Sequence, residues 1–257
     1  MADITNFAYK GRGRLWVGDL ESGALREFGN CSSAEMAFTV EEQTLKDFRT
    51  CAGGNYASGI DISDGSLSLV LHDLSPENFA LAFYGDTSAV VEAAANEEVH
   101  TVPTVTNRMI RAANAIKASG TITVSSATGG GGTVYTGGGD DYTVHPGGIE
   151  YHLGGTGSLA GSETVYVNYT KRAVTQIEAL MSASVSKYLQ IDGLNCAQSG
   201  APVVVRVWSF SPSPTDAFQL ISEEFASFTL TGKMVADTSK GASESQYFQA
   251  DVATTTT

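Results

Sequence analysis

Little in this chain is equipped for chemistry. Cysteine is scarce: Cys31, Cys51 and Cys196 form an odd, widely spaced set without a Cys-x-x-Cys pair. That argues against a zinc site or a disulfide framework and favours a reducing compartment. Charge is sparse at 17% of residues, and 15 Lys and Arg stand against 28 Asp and Glu, for a formal charge of −13. Proteins that grip nucleic acid through phosphates need clustered cations. Here they are scattered, which disfavours tight DNA or RNA binding. Acidity instead suits solubility, or a surface that nucleic acid passes without sticking. No apolar run approaches a membrane span, and MADITNFAYKGRGRLW lacks the apolar core of a signal peptide. The expectation is a chain made and folded in a cytoplasm, with no membrane partner. Without secretion, the glycosylation sequons at Asn30 and Asn168 are chance matches.

Catalytic and ligand motifs are equally thin. His72-Asp73 resembles half of a triad, but no Gly-x-Ser-x-Gly elbow supplies a nucleophile. His145, Glu150 and His152 match no strong metal-ligand spacing. The glycines at 129–132 and 137–139 lead into no helix and no Lys-Ser/Thr follows, so they read as loops. Asp140-Asp141 lacks the repeat that builds calcium sites. No carboxylate pair is singled out for glycoside hydrolysis. The reading is no enzyme, no cofactor and no metal, and a structural or binding role instead.

What is present is glycine, 28 residues of it, and alternation. Ser66 to Leu71 places Leu67, Leu69 and Leu71 on one side, the period of a half-buried strand. The period then changes. Ser75 is a good N-cap, Pro76 suits the first helical position, Glu77 puts negative charge in the first turn, and Phe79 and Phe83 supply apolar packing. Gly85 is placed to end this helix in a left-handed conformation. Residues 1–13 read as a flexible arm, Leu15–Val17 as a short strand, and Glu21-Ser22-Gly23 as a hairpin turn or loop. Ala34 to Val40 alternates well. Residues 41–59 read as a loop of roughly twenty residues, longer than ordinary connections, and such loops are often functional.

Residues 86–104 look like a linker. Thr106 to Ala118 offers a weakly capped helical stripe through Met109, Ile110, Ala113 and Ile116. Composition then shifts to short strands between glycine clusters, at a spacing that suggests a small sandwich. The domain reading is a core of residues 1–98 and 172–257, interrupted by a glycine-rich β module at 99–171. Val174 to Val185 holds room for a short helix. Lys187–Asn195 and Pro202–Phe210 read as paired strands, broken after Phe210 by Ser211-Pro212-Ser213-Pro214. Ala226, Phe228, Leu230 and Met234 mark a further amphipathic strand. The polar end, Thr254–Thr257, reads as disordered.

Three stretches carry a family likeness: FTVEEQTLKDFRTCAGGNYASG at 38–59, SLSLVLHDLSPENFALAFYG at 66–85, and GAPVVVRVWSFSPSPTDAFQLISEEFASFTLTGKMVAD at 200–237. HDLSPEN is the most specific element. The chain resembles the tail tube (major tail) proteins of long-tailed bacteriophages. DDYTVHPGGIEYHLGG and ETVYVNYT are similar to small β modules of phage structural proteins. The resemblance implies a mainly β protein, with a tail-tube-type β-sandwich or barrel core, one flanking short α-helix and a small inserted β-sandwich module. It implies a virion protein forming stacked, hexameric rings, a conduit for genome ejection with no catalytic residue. Implied partners are other copies of the chain, tape measure, tail terminator, and baseplate or tip proteins. Genome DNA would pass through the lumen without tight binding.

Within that likeness, Glu41, Glu42, Lys46, Asp47, Phe48, Arg49, Asn55 and Tyr56 become an inter-subunit or inter-ring loop, with the terminal arms adding contacts. Leu67, Leu69, Leu71, Phe79 and Phe83 become the core strand-helix unit. The rival readings are a carbohydrate- or surface-binding decoration module, resting on the glycine-rich stretch, and a polysaccharide-degrading β enzyme.

Overall fold

The computed structural model describes residues 8–253 apart from Glu21, Ser22, Thr50, Ala52, Ser184, Asp216 and Ala242. Of the arm expected at 1–13, residues 1–7 lie outside the described residues, as do Glu21-Ser22 of the hairpin turn and the end at Thr254–Thr257, while Gly11–Gly13 are not an arm but the start of a strand. In chain order the strands are β1 (Gly11–Asp19), β2 (Arg26–Gly29), β3 (Cys31–Lys46), β4 (Asn55–Leu71), β5 (Asp86–Val90), β6 (Ala94–Thr101), β7 (Arg108–Arg111) and β8 (Thr123–Ser125). There follow β9 (Tyr142–His145), β10 (Gly148–Tyr151), β11 (Thr164–Thr170), β12 (Val174–Glu178), β13 (Lys187–Asn195), β14 (Ala201–Pro212), β15 (Phe228–Met234) and β16 (Phe248–Val252). Among the described residues there is one α-helix, α1 (Pro76–Ala82), and two single 3-10 turns at Thr128–Gly130 and Cys196–Gln198. The protein is mainly β, and its sheets are antiparallel.

The chain divides into two compact units, Met1–Asp86 with Ile177–Thr257, and Thr87–Gln176. The first is one sheet in the order β2-β1-β13-β14-β15-β4-β3, with β16 also on β14. β2 and β3 stand at opposite ends of that order, yet Asn30 alone joins them. The sheet therefore curls until its ends meet, and its inner side closes on one core. Leu15 and Val17 (β1), Leu67, Leu69 and Leu71 (β4), Leu189 (β13), Val207 and Phe210 (β14) and Leu230 (β15) are buried there. Each such side chain contributes about 1.5–3 kcal/mol of transfer free energy. The strict alternation of β15, buried at every second residue from Phe228 to Met234, follows from one face turned inward.

The second unit holds two three-stranded sheets, β7-β10-β9 and β6-β11-β8, on a separate core of Ile149, Tyr151, Val124, Val165, Val167 and their neighbours. It begins at Thr87 rather than 99, because the stretch expected to be a linker contains β5 and β6. Only His100 is buried in β6, so its alternation is faint. The stripe at 106–118 is not a helix: Arg108–Arg111 pairs with β10, which satisfies the backbone more simply than an uncapped helix. The stretch from Val174 likewise gives strand β12, paired with β5.

Helix α1 starts as its sequence dictates. The Ser75 hydroxyl accepts from the Asn78 amide, and Pro76 needs no donor there. Its end differs from expectation by one residue. Tyr84, at φ 50°, takes the left-handed position, and the Gly85 amide bonds the Ala80 carbonyl at 2.7 Å. That is a Schellman closure. Glycine at 85 relieves crowding: a Cβ there would sit 3.0 Å from Ile177 Cγ2 and 3.1 Å from the Glu178 carbonyl oxygen. Phe79 and Phe83 are half-buried and pack on Phe218, whereas the fully buried face of the helix is Asn78 and Ala82.

Candidate functional site

The stretch 41–59 is not a loop. β3 and β4, of 16 and 17 residues, pair from Cys31 opposite Leu71 out to Lys46 opposite Asn55. Their outer halves form a two-stranded arm whose ladder ends at Lys46 and Asn55. The pattern hides this because neither face is buried: among the described residues from 37 to 63, all but Asp47 are exposed.

The register assigns the faces. Val40 lies opposite Ile62, and Glu42 opposite Ile60; Glu41 lies opposite Asp61, and Leu45 opposite Ala57. Opposed residues share a face. One face therefore carries Val40, Ile60 and Ile62 beside Glu42, and the other Glu41, Asp61 and Leu45. Val40 is in phase with Phe38 and Met36, and Met36 lies opposite buried Leu67. The apolar face of the arm is thus the core face of the sheet, continued past the end of its own core. A bulge at Ser63, between the Thr39–Asp64 and Val40–Ile62 pairs, marks where the arm departs.

The tip is tied to itself. The Asp47 amide bonds the Gly54 carbonyl at 2.7 Å. Arg49 donates from Nε and Nη2 to the two Asp47 oxygens, each at 3.1 Å, and its guanidinium lies 4.5 Å from the centroid of the Tyr56 ring. The Arg49 hydrogen bonds hold the Asp47 carboxyl below its ordinary range. Phe48 is 84% exposed. Lys46 and Asn55 close the ladder, while Glu41 and Glu42 sit farther back on opposite faces. The tip thus gathers Asp47, Phe48, Arg49 and Tyr56, but not the two glutamates.

The other sequence candidates settle as internal structure. His72 donates its backbone amide to Asn30, and the Asp73 carboxylate accepts from the Asn30 amide at 2.9 Å. Glu150 pairs with His145 at 2.9 Å, whereas His152 bonds Thr143 and Asn107. Asp141 is fully buried and accepts from the amides of Thr136 and Gly157. Among the described residues, no group of three or more His, Cys, Asp or Glu is placed to hold a metal.

Two polar centres had no sequence signal strong enough to find them. Asn78 is 1% exposed; its amide nitrogen donates to the carbonyls of Phe28 and Asp73, and its oxygen accepts from Arg26 at 2.7 Å. Its place at the end of HDLSPEN, and a polar residue at i beside Ala82 at i+4 on a buried helix face, are the hints in the sequence. In the second unit, Glu98 accepts from Tyr169, from the Ala113 amide and from buried His100, whose other ring nitrogen meets the Tyr151 hydroxyl. Burial opposes ionisation of Glu98, but these hydrogen bonds outweigh it and hold its carboxyl below the usual range.

Residues 8–251 match the family described as "Protein of unknown function UCP028589". The chain belongs to that family. No curated protein matches its sequence. The family description assigns no activity, so function rests on what the arm and the sheet can do.

Proposed function

We propose that this protein is a tail tube subunit of a long-tailed bacteriophage, which assembles into stacked rings that conduct the genome. The supporting observation is the arm: a two-stranded ribbon that buries none of its own apolar residues. Such a ribbon is marginal alone in water, and the exposed Val40, Ile60 and Ile62 gain their stabilisation only against another chain.

The sheet supports the same reading. Among the described residues, no strand pairs with the outer edge of β3. A long open edge invites aggregation unless closed assembly covers it. The net charge of −13 favours a conduit that DNA slides through over one that binds it. On this reading the subunit carries no catalytic role, needs no cofactor, and works in the virion tail with copies of itself and the proteins at the two tail ends. Electron microscopy of the purified protein in negative stain should show rings or tubes. A strictly monomeric particle at every concentration, with other tail components present, would sink the proposal.

A further inference from the structure

Both tryptophans of the chain, Trp16 and Trp208, lie on one face of the first unit. Leu15 and Val17 of β1, Leu189 of β13 and Val207 of β14 turn inward to the core. Trp16, Gln190 and Arg206, which stand opposite one another across those three strands, therefore turn outward. Two residues along from Gln190 and Arg206 come Tyr188 and Trp208, whose ring centroids lie 6.1 Å apart. The three rings are half-buried and flank Gln190. The polar groups between them are held in place. Tyr188 donates its hydroxyl to Gln190 Oε1 at 3.1 Å, and Gln190 Nε2 donates to Asp192 Oδ1 at 2.8 Å. The Trp208 indole donates to the Ser245 carbonyl at 2.9 Å, which fixes its ring. The Trp16 indole nitrogen is buried and has no hydrogen-bond partner among the described residues. A buried donor left unpaired costs stability and calls for an explanation.

We propose that this face binds a neutral saccharide chain, with the three rings stacking on sugar rings while Gln190 and Asp192 bond their hydroxyls. The proposal goes beyond tube formation and applies to a single copy of the chain. Rings carried on paired strands make a rigid platform for the apolar faces of sugars. Charge on the face is compensated: Arg14 pairs with Glu27 at 3.7 Å, and Arg206 with Asp251. A nucleic acid, whose bases also stack, needs cations that are not offset in this way. The centre of a protein interface is depleted of charge, yet Arg206 and Asp192 stand among the rings. Rings interleaved with hydrogen-bonding groups suit hydroxyls instead, and a hydroxyl oxygen is the acceptor that the Trp16 N–H lacks. One cation does sit on the platform. The Lys240 ammonium lies 3.8 Å from the centroid of the Trp208 ring, so a sugar stacking on that side displaces it. In the glycine-rich second unit, by contrast, Tyr135, Tyr142, Tyr151 and Tyr169 are buried and offer a sugar no ring.

Because both tryptophans stand on this face, intrinsic fluorescence reads it directly. Neutral hexasaccharides of glucose, mannose and N-acetylglucosamine are titrated into the full-length protein up to millimolar concentration. At least one should change the emission saturably. Calorimetry then compares variants. Trp208→Ala should weaken binding about tenfold, the scale of a lost ring stack. Gln190→Ala should weaken it about fivefold, the scale of a lost hydrogen bond. Gln190→Ala leaves every ring in place, so it decides the matter if Trp208→Ala does not fold. Lys240→Ala, which frees the Trp208 ring, should bind about twofold to fivefold tighter. Silence towards all three sugars, or binding that Gln190→Ala and Trp208→Ala leave unchanged, would overturn the proposal. Two further results would do the same. One is saturable binding of an oligothymidine in place of a sugar. The other is an emission that responds to protein concentration and to no sugar, which would make the face a contact between copies.

Discussion

At the scale of single residues, polar groups that the fold spends on itself decide stability. Asn78 pins α1 to β2 through two hydrogen bonds, with Arg26 and Phe28, and holds the chain before the helix through a third, to the Asp73 carbonyl. Asn78→Ala leaves the Phe28 carbonyl and an Arg26 N–H without that partner and should cost about 1–3 kcal/mol in denaturant unfolding. Gly29 sits at φ 92°, and a Cβ there would overlap the Asp73 carboxylate. Gly29→Ala should therefore cost more than the usual glycine substitution and broaden or lower the first unit's melting transition. Glu98 makes the second unit sensitive to acid. Its folded pKa lies below its ordinary 4.5, so its stabilisation is complete above that value and is lost as pH falls through the lowered one. Thermal melts from pH 7 to 3 should show a steeper acid loss in wild type than in Glu98→Gln, which is less stable at pH 7. Of these residues Asp73 and Asn78 lie within HDLSPEN, but nothing in that motif marks Asn78 as a hydrogen-bonding centre. Asn78 and Glu98 are single polar positions, and no periodicity marks a hydrogen-bond partner remote in the chain.

At the scale of elements, legibility followed burial. β15 and the inner half of β4 read correctly, because alternation and a buried face coincide at Phe228, Leu230, Leu67 and Leu69. The start of α1 was legible from Ser75-Pro76-Glu77, since capping is local chemistry. The arm was not legible, because a ribbon exposed on both faces needs no alternation of apolar and polar residues. Its charges and the glycines Gly53 and Gly54 imitate a loop. Replacing residues 41–61 with a two-residue Asn-Gly turn, which keeps Val40 opposite Ile62, should leave the melting temperature of the first unit within a few degrees, since none of the described residues removed is buried. Assembly, read by sedimentation, should be lost.

At the scale of the whole molecule, the second unit begins within β5 and ends within β12, two strands that pair with one another. The cores of the two units share no residue. Excising residues 91–173 and joining the paired strands by a short turn should leave a folded first unit that still forms tubes. Loss of tubes with the first unit intact by circular dichroism would make the insertion part of the assembly machinery. The insertion was visible in sequence from its glycine clusters, but its edges were not, because β6 lacks a continuous buried face.

The pairing of β1 with β13 along its full length sets a timetable for synthesis. The first strand to leave the ribosome must wait for residues 187–195, whereas every sheet partner of β6 through β11 lies inside the second unit. Chains arrested with residues 1–176 outside the exit tunnel should therefore show a protected second unit and an unprotected β1 in pulsed hydrogen exchange. The arm is emitted early and the segment 213–227 late. A growing chain therefore displays its arm long before the sheet that carries it can close.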